Sequence, residues 1–369
     1  MGRYYDIKIS STFTEGSAGP ASGTVSQGFT YTSVVNGVFD PNALLVEFDF
    51  FSYNYAESKD GATITIHGVG LPNITQAQKF TGRVVQVRAG MSGGLPLEDP
   101  TQKGLILSGQ IVQSWANWVG TEMDLNLLVF PSRFTYATPG NFVFNWLPGV
   151  SLKDALAVTL GTAFAGTGIG VVFNLSKTYT LGRPVISQHG TLPELAALVL
   201  SNTQTPNANL VDSATGIVLS SGVTISTPVN NTIYVSDNLF SEGGQEKQIN
   251  YNDLIGQPTW VGNASMMLTT VMRGDIQVGS VLRMPQGPGL GGVGSVTLSG
   301  VGNAGLAVQP SNINYQTAFQ GLFSVTAVRH IGNSRDISPT AWVSVFECTP
   351  QTTTSITPTT ATPGAFVGG

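Results

Sequence analysis

His67, His189 and His330 are the residues of this chain best fitted to move a proton or bind a metal near neutral pH. Each stands alone in the sequence, and no H-E-x-x-H places two of them on one helix face. Cys348 is the single cysteine. A thiol dyad would need His330 beside it in space, but no flanking signature accompanies either residue, and both read as strand-packing residues. Glu122 and Asp124 sit two positions apart on one face of a strand, whereas a glycosidase needs its carboxyls across a cleft. Gly289–Gly294 spells GLGGVG and matches G-x-G-x-x-G, yet that motif binds a dinucleotide only between a strand and a helix. No helix pattern follows it, so it reads as a Gly-rich loop. Arg273-Gly274-Asp275 spells a cell-attachment tripeptide, and it falls where a turn between strands is wanted. No G-x-S-x-G and no P-loop occurs. The sequence therefore nominates no catalytic residue, no metal ligand and no cofactor site. What remains is an aromatic pair, Trp115 and Trp118, at a hairpin tip. Exposed, such a pair grips a sugar ring or a protein partner; tucked in, it caps the end of a β barrel.

Composition narrows the setting. Charged residues make up 10% of the 369 residues, against about 25% in average soluble proteins. There are 45 glycines, with 18 Phe, 10 Tyr and 5 Trp. Such a chain is β-rich and turn-rich with a polar but uncharged surface, and its aromatic content argues against disorder. The net charge is −5 and no run of Lys and Arg occurs, which argues against a nucleic-acid surface held by counterion release. One cysteine leaves no intrachain disulfide and no cysteine-based zinc site. The opening MGRYYDIKIS lacks the apolar core of a signal peptide and the Ser or Thr of a myristoylation site. Residues 155–175 carry no charge and are long enough to span a bilayer, but Gly161, Gly166, Gly168 and Gly170 interrupt them. A short buried helix followed by a strand fits better. The expectation is a soluble, unsecreted protein made in a reducing cytoplasm.

Hydropathy periods divide the chain. Residues 1–36 alternate weakly and read as an N-terminal arm, within which DIKISSTF is either an edge strand or extended. Residues 37–133 read as a first antiparallel β-barrel domain. There ALLVEFDFFSYNYAE, GATITIHGVG and TGRVVQVRAG have the period of strands. GLILSGQIVQSW and EMDLNLLVF make a hairpin, with Met123, Leu125, Leu127 and Val129 on one face. Residues 134–240 read as a small α+β insert. Ser151 caps a helix with Leu152, Leu156 and Leu160 on one stripe. Thr191 and Glu194 form a capping box ahead of Leu192, Leu195, Ala196 and Leu200. Residues 241–349 return to strands as a second β-barrel domain, interrupted by the Gly-rich stretch. Residues 350–369 are a flexible Thr- and Pro-rich tail, with Phe366 in an apolar hook, AFV, suited to docking on a partner. The fold class is mainly β: two similar antiparallel β-barrel domains flanking an α+β insert.

The two β domains share a unit. GLILSGQIVQSWANWVGTEMDLNLLVF and GLFSVTAVRHIGNSRDISPTAWVSVFE have the same length and layout, 217 positions apart. Their register is ambiguous, because Val129-Phe130 aligns equally on Val345-Phe346, one step off. This order of parts resembles the baseplate hub proteins of contractile bacteriophage tails, a family akin to the N-terminal part of VgrG spikes. The likeness is carried by the first hairpin, by SLKDALAVTLGTAF with TLPELAALVL, and by NDLIGQPTW followed by DIQVGSVLRMP and FSVTAVRHIGNSRDISPTAWVSVFECTP. Ile276 and Gly279 at a turn, and His330 ahead of Trp342, belong to the same pattern.

The resemblance implies a structural virion protein, not an enzyme. It implies a homotrimer whose two barrels per subunit make a pseudo-sixfold ring. That ring would join the sixfold tail tube, or its initiator, to a threefold spike and leave a channel for DNA in transit, eased by an acidic lumen. The C-terminus of a tape-measure protein is a further implied partner. No cofactor and no membrane anchor are expected, and the place is the tail baseplate of a virion assembled in the host bacterial cytoplasm. Trp115, Trp118 and Phe366 are the candidate interface residues. Two other classes stay open: a tail-tip receptor- or carbohydrate-binding protein using the Trp pair, and a tail-associated cell-wall hydrolase.

Overall fold

The computed structural model describes residues 3–10, 28–52, 61–91, 99–130, 141–165, 169–175, 178–204, 222–226, 232–237, 246–261, 265–285 and 321–350. The GLGGVG loop and Phe366 lie outside these. Period-two alternation makes most of the described chain strands. β1 (Arg3–Ile9) and β2 (Phe29–Thr32) precede a short ladder of β3 (Val34–Val35) and β4 (Val38–Phe39). Asn36 and Gly37 join these last two at positive φ, as a primed hairpin turn requires. β5 (Val46–Ser52), β6 (Ala62–His67), the short helix α1 (Leu71–Thr75), β7 (Val84–Met91), β8 (Gly104–Val119) and β9 (Glu122–Phe130) follow. The middle holds β10 (Phe142–Trp146), α2 (Leu152–Ala163), β11 (Gly170–Asn174), β12 (Val185–His189), α3 (Leu192–Thr203), β13 (Thr224–Ser226) and β14 (Thr232–Ser236). The last part holds β15 (Glu246–Gln248), β16 (Thr259–Trp260), β17 (Met266–Val271), β18 (Val281–Arg283), β19 (Leu322–Asn333) and β20 (Trp342–Pro350).

One 13-stranded sheet contains both β regions. Its main path runs β16-β17-β20-β19-β5-β6-β9-β8-β7-β1-β2, with β18 pairing β19 and β15 pairing β18 off that path. Within the N-terminal stretch, residues 3–9 and 29–32 are strands of this sheet. β1 is paired on both edges, by β2 and β7, and buries Tyr5, Ile7 and Ile9 almost completely. Its outward Asp6 and Lys8 form an ion pair and give the stretch its polar look.

The doubling is topological. The first region runs β5-β6-β9-β8-β7 in space, and the second runs β16-β17-β20-β19-β18, the same order of first, second, fifth, fourth and third strand. Details match too. Gly82 and Gly279, with φ of 84° and 86°, precede the third strand of each set. Gly82 donates to the Ile111 carbonyl, and Gly279 to that of Val325. Each fourth strand then bulges, at Val112 and at Thr326. An extra residue on one strand of the pair bends it and sharpens the twist. Measured from the bulges, the first strands of the two hairpins are 214 positions apart and the second strands 219, not the uniform 217 of the sequence match. Val129-Phe130 therefore corresponds to Cys348-Thr349, and neither alignment drawn from the sequence holds. The difference sits in the tip, where Gly120-Thr121 is replaced by residues 334–340.

Equivalent positions are core in both sets. Ile64, Ile111, Leu127 and Val129 match Leu268, Val325, Phe346 and Cys348, and none of the eight is more than 1% exposed. Burying such a side chain contributes about 1.5–3 kcal/mol each. The middle region has its own core, in which Phe142, Phe144 and Trp146 of β10 meet Leu156 and Leu160 of α2 and Leu195 and Val199 of α3. β10 pairs β12, and β11, β14 and β13 form a separate three-stranded sheet. Ser151 accepts from the Asp154 amide, and Thr191 with Glu194 closes the capping box that its spacing announces.

Candidate functional site: the seam and the ends of the sheet

The chemistry-bearing residues are mostly spent on structure. His330 is fully buried, bonded to Ser344 Oγ at 2.9 Å and set edge-on to Phe50. Burial lowers its pKa to about 3, so it is a neutral core residue. Cys348 pairs with Val325 and Met266, not with His330, and burial pushes its thiol up. No dyad forms. Arg273 of the Arg-Gly-Asp tripeptide is 3% exposed. It is bridged to Asp253 at 3.1 Å and to Asp275 at 2.8 Å, while Gln102 of the first region donates to Asp253. Gly274 lies against Gly104 and Ala89, where any Cβ would strike backbone. The tripeptide is a junction between the two strand sets and presents no exposed turn.

One polar group escaped sequence reading. His67 Nδ1 lies 2.8 Å from Asp124 Oδ1, because β6 and β9 pair those residues directly. Glu122 joins them, with ligand-type atoms within 4.8 Å of one another. The signal was present, since both His67 and Asp124 fall on the outward face of their strands. Cross-strand ladders of this kind are ordinary on a half-exposed sheet face. The His189 ring has Ser187 Oγ as its one hydrogen-bond partner among the described residues. A small cleft, lined by Thr224, Tyr234, Val278, Gly279 and Thr326 among others, has room for about one water molecule.

The architecture instead draws attention to where the two strand sets meet. β5, the first strand of the first set, pairs residues 328–333 of β19, the fourth strand of the second. Arg329 forks onto Asp49 at 2.9 and 2.6 Å, and Asn333 donates to Glu47. Across the same seam Phe48 covers Gly332, at a spot where a Cβ would collide with its ring, and Phe48 meets Trp342 edge-on at 5.2 Å. Trp342 in turn donates to the Gly90 carbonyl.

The tryptophans lie at the far end of β8, exposed by 39% at Trp115 and 62% at Trp118. Three positions apart on a strand, they point to opposite faces and cannot clasp one sugar ring together. Trp118 Nε1 donates to the Gly120 carbonyl. The end of β16 is also apolar, with Val261 exposed just beyond it and Met267 of β17 exposed opposite Thr259.

No protein-family model matches the chain, and no curated protein matches it. Among solved structures its fold is similar to that of two tail proteins and of a type VI secretion component. One is the 43 kDa tail protein of prophage MuSo2 from Shewanella oneidensis, at 9% identity and TM-score 0.45, over 94% of this chain and 97% of that one. Another is the tail protein from Neisseria meningitidis MC58, at 9% identity and TM-score 0.42, over 95% and 97%. A third is the E. coli c3393 protein, a type VI secretion component described as similar to T4 tail proteins gp27 and gp5. It has 11% identity and TM-score 0.44, over 87% of this chain and 77% of that one.

None of the described helices is long and apolar enough to cross a membrane. The α2 stretch ends at Ala163 and β11 begins at Gly170, so the uncharged run 155–175 divides as its glycines suggested.

Proposed function

We propose that the chain is a structural tail protein of a bacteriophage: a baseplate hub that joins a sixfold tail tube to a threefold spike around a channel for DNA. The observation that carries this reading is the repeated five-strand order with a single seam inside one chain. A subunit built of two equivalent strand sets can present three copies of itself as six similar units, which is what a three-to-six junction needs. Tube, spike and the end of a tape-measure protein are the partners of that reading, and three chains at −5 each would keep the assembly acidic and weakly adherent to DNA. The role is scaffolding, not catalysis, and its place is the tail of the virion.

The test is the native mass of the purified chain, with negative-stain images of the same sample. A species of three 38.7 kDa chains seen as a ring with a central hole is the expected result. A monomer that also fails to assemble when tube or spike protein is added would refute the hub.

A further inference from the structure

The β5–β19 seam is half of a pattern that the chain leaves unfinished. Its counterpart would join β16, the first strand of the second set, to the second half of β8, the fourth strand of the first. Within one chain these do not meet: β16 ends the sheet path, and beyond Ile111 no described strand pairs with the edge of β8 turned away from β9. We propose that this edge, residues 114–119, is the docking site for β16 of a second copy of the chain, in the register that β5 adopts on β19. The inference rests on the hub reading and supplies its contact.

The register follows from the repeat. Ile111 exchanges backbone hydrogen bonds with Gly82 and Arg83, on the side away from β9. Alternation beyond the bulge turns the N–H and C=O of Ser114, Ala116 and Trp118 to that same side. Their counterparts Val328, His330 and Gly332 face Ser52, Phe50 and Phe48 of β5. Carrying that pairing over sets Trp115 opposite Val261, Ala116 opposite Trp260, Asn117 opposite Thr259 and Trp118 opposite Pro258.

Three observations favour a second copy as the occupant. The exposed apolar side chains at the two ends, Trp115, Trp118 and Val119 on one and Val261 on the other, would cover each other. The edge sequence SWANWV has neither charge nor proline, so it lacks the devices by which lone edge strands avoid pairing. And where the intrachain seam places an aromatic on the first strand over a glycine on the fourth, the open ends carry the reverse, Trp118 on the fourth and Pro258 on the first.

The experiment uses the full chain carrying Asn117→Cys and Thr259→Cys. In the proposed register these face one another as a non-hydrogen-bonded pair, with Cα atoms about 4.5 Å apart, inside the range that a disulfide spans. Native Cys348 is buried and stays out of the reaction. Under mild oxidation the double variant should give a three-chain species on a non-reducing gel that collapses on reduction, while either single variant stays uncross-linked. Ala116→Pro, which removes one outward N–H and no bond to β9, should raise the concentration needed for assembly at least tenfold with unchanged circular dichroism. A three-chain ring by native mass that never cross-links overturns the seam and leaves the hub standing. A monomer that never cross-links overturns both. A ladder that runs past three chains supports the edge pairing and overturns the closed ring.

Discussion

Single residues show most clearly how this chain uses chemistry-bearing side chains as structure. His330 is buried neutral in the fold, with a pKa lowered by desolvation to about 3, against about 6.5 when unfolded. Between those values the unfolded chain binds a proton that the folded chain refuses. The stability His330 allows is therefore complete above pH 6.5 and lost as pH falls, at about 1.4 kcal/mol per pH unit. His330→Gln should remove that dependence, so urea midpoints of the two proteins should converge between pH 6 and pH 4; parallel curves would contradict the assignment. Arg273 makes the complementary case. Replaced by Met, it leaves Asp253 without a cation and Asp275 with only Lys247 at 3.7 Å, both carboxylates being nearly buried, and the cost should be about 3–5 kcal/mol. Adding Asp253→Asn and Asp275→Asn should return part of that loss, measured by the same unfolding curves. If the single variant unfolds at the wild-type midpoint, the buried network does not hold the two strand sets together.

At the scale of elements, the seam depends on a void that only glycine leaves. Gly332→Ala would drive a methyl into the Phe48 ring and should cost about 1–3 kcal/mol as overpacking. Phe48→Ala made alone should cost about 3–5 kcal/mol. The double variant should cost less than the sum, because the clash vanishes with the ring; simple additivity in thermal unfolding would mean the two do not oppose each other. Much at this scale was legible in the sequence. The hairpins of β8 with β9 and β19 with β20, the capping box at Thr191 and the β6 face bearing Ile64 and Ile66 all follow from period and spacing. Three things were not. β10 and β12 escaped, although β11 and β14 of the same five-residue length read as strands from their denser β-branched content. For β1 the strand was one of the two readings of DIKISSTF, but its pairing on both edges was not, because its outward Asp6 and Lys8 look like an edge. The offset of the repeat escaped because bulges and an expanded tip shift register without changing apolar content. The seam itself could not be read locally at all, since strand pairing some 280 positions apart, such as Arg329 with Asp49, leaves no mark on either strand alone. The candidate site shared that fate: Trp115 and Trp118 were visible as aromatics, but which edge they flank is a property of the sheet.

At the scale of the whole molecule, the sheet and the middle region should behave as two cooperative units. The sheet is one hydrogen-bonded path, and its core crosses the seam, for Met272 and Trp342 pack with residues of the first strand set. The middle region draws its core wholly from residues 142–235 and pairs its strands only with each other. Free energy removed from one core should therefore stay in that unit. Leu156→Ala, at a position with no exposure, should cost about 2–5 kcal/mol and quicken amide exchange across α2, α3 and β10 while β5, β9 and β19 keep their protection. Leu127→Ala, equally buried, should do the reverse, and because β5 links the strand sets, its effect should reach β19 and β20 more than 190 positions away in sequence. Hydrogen exchange read by mass spectrometry separates the cases. If Leu127→Ala loosens only β5 to β9, the seam does not couple the two sets, and a ring built by continuing it would lose its rigidity at every second junction. If Leu156→Ala loosens the sheet as well, the middle region is coupled to the sheet and is not a separate cooperative unit.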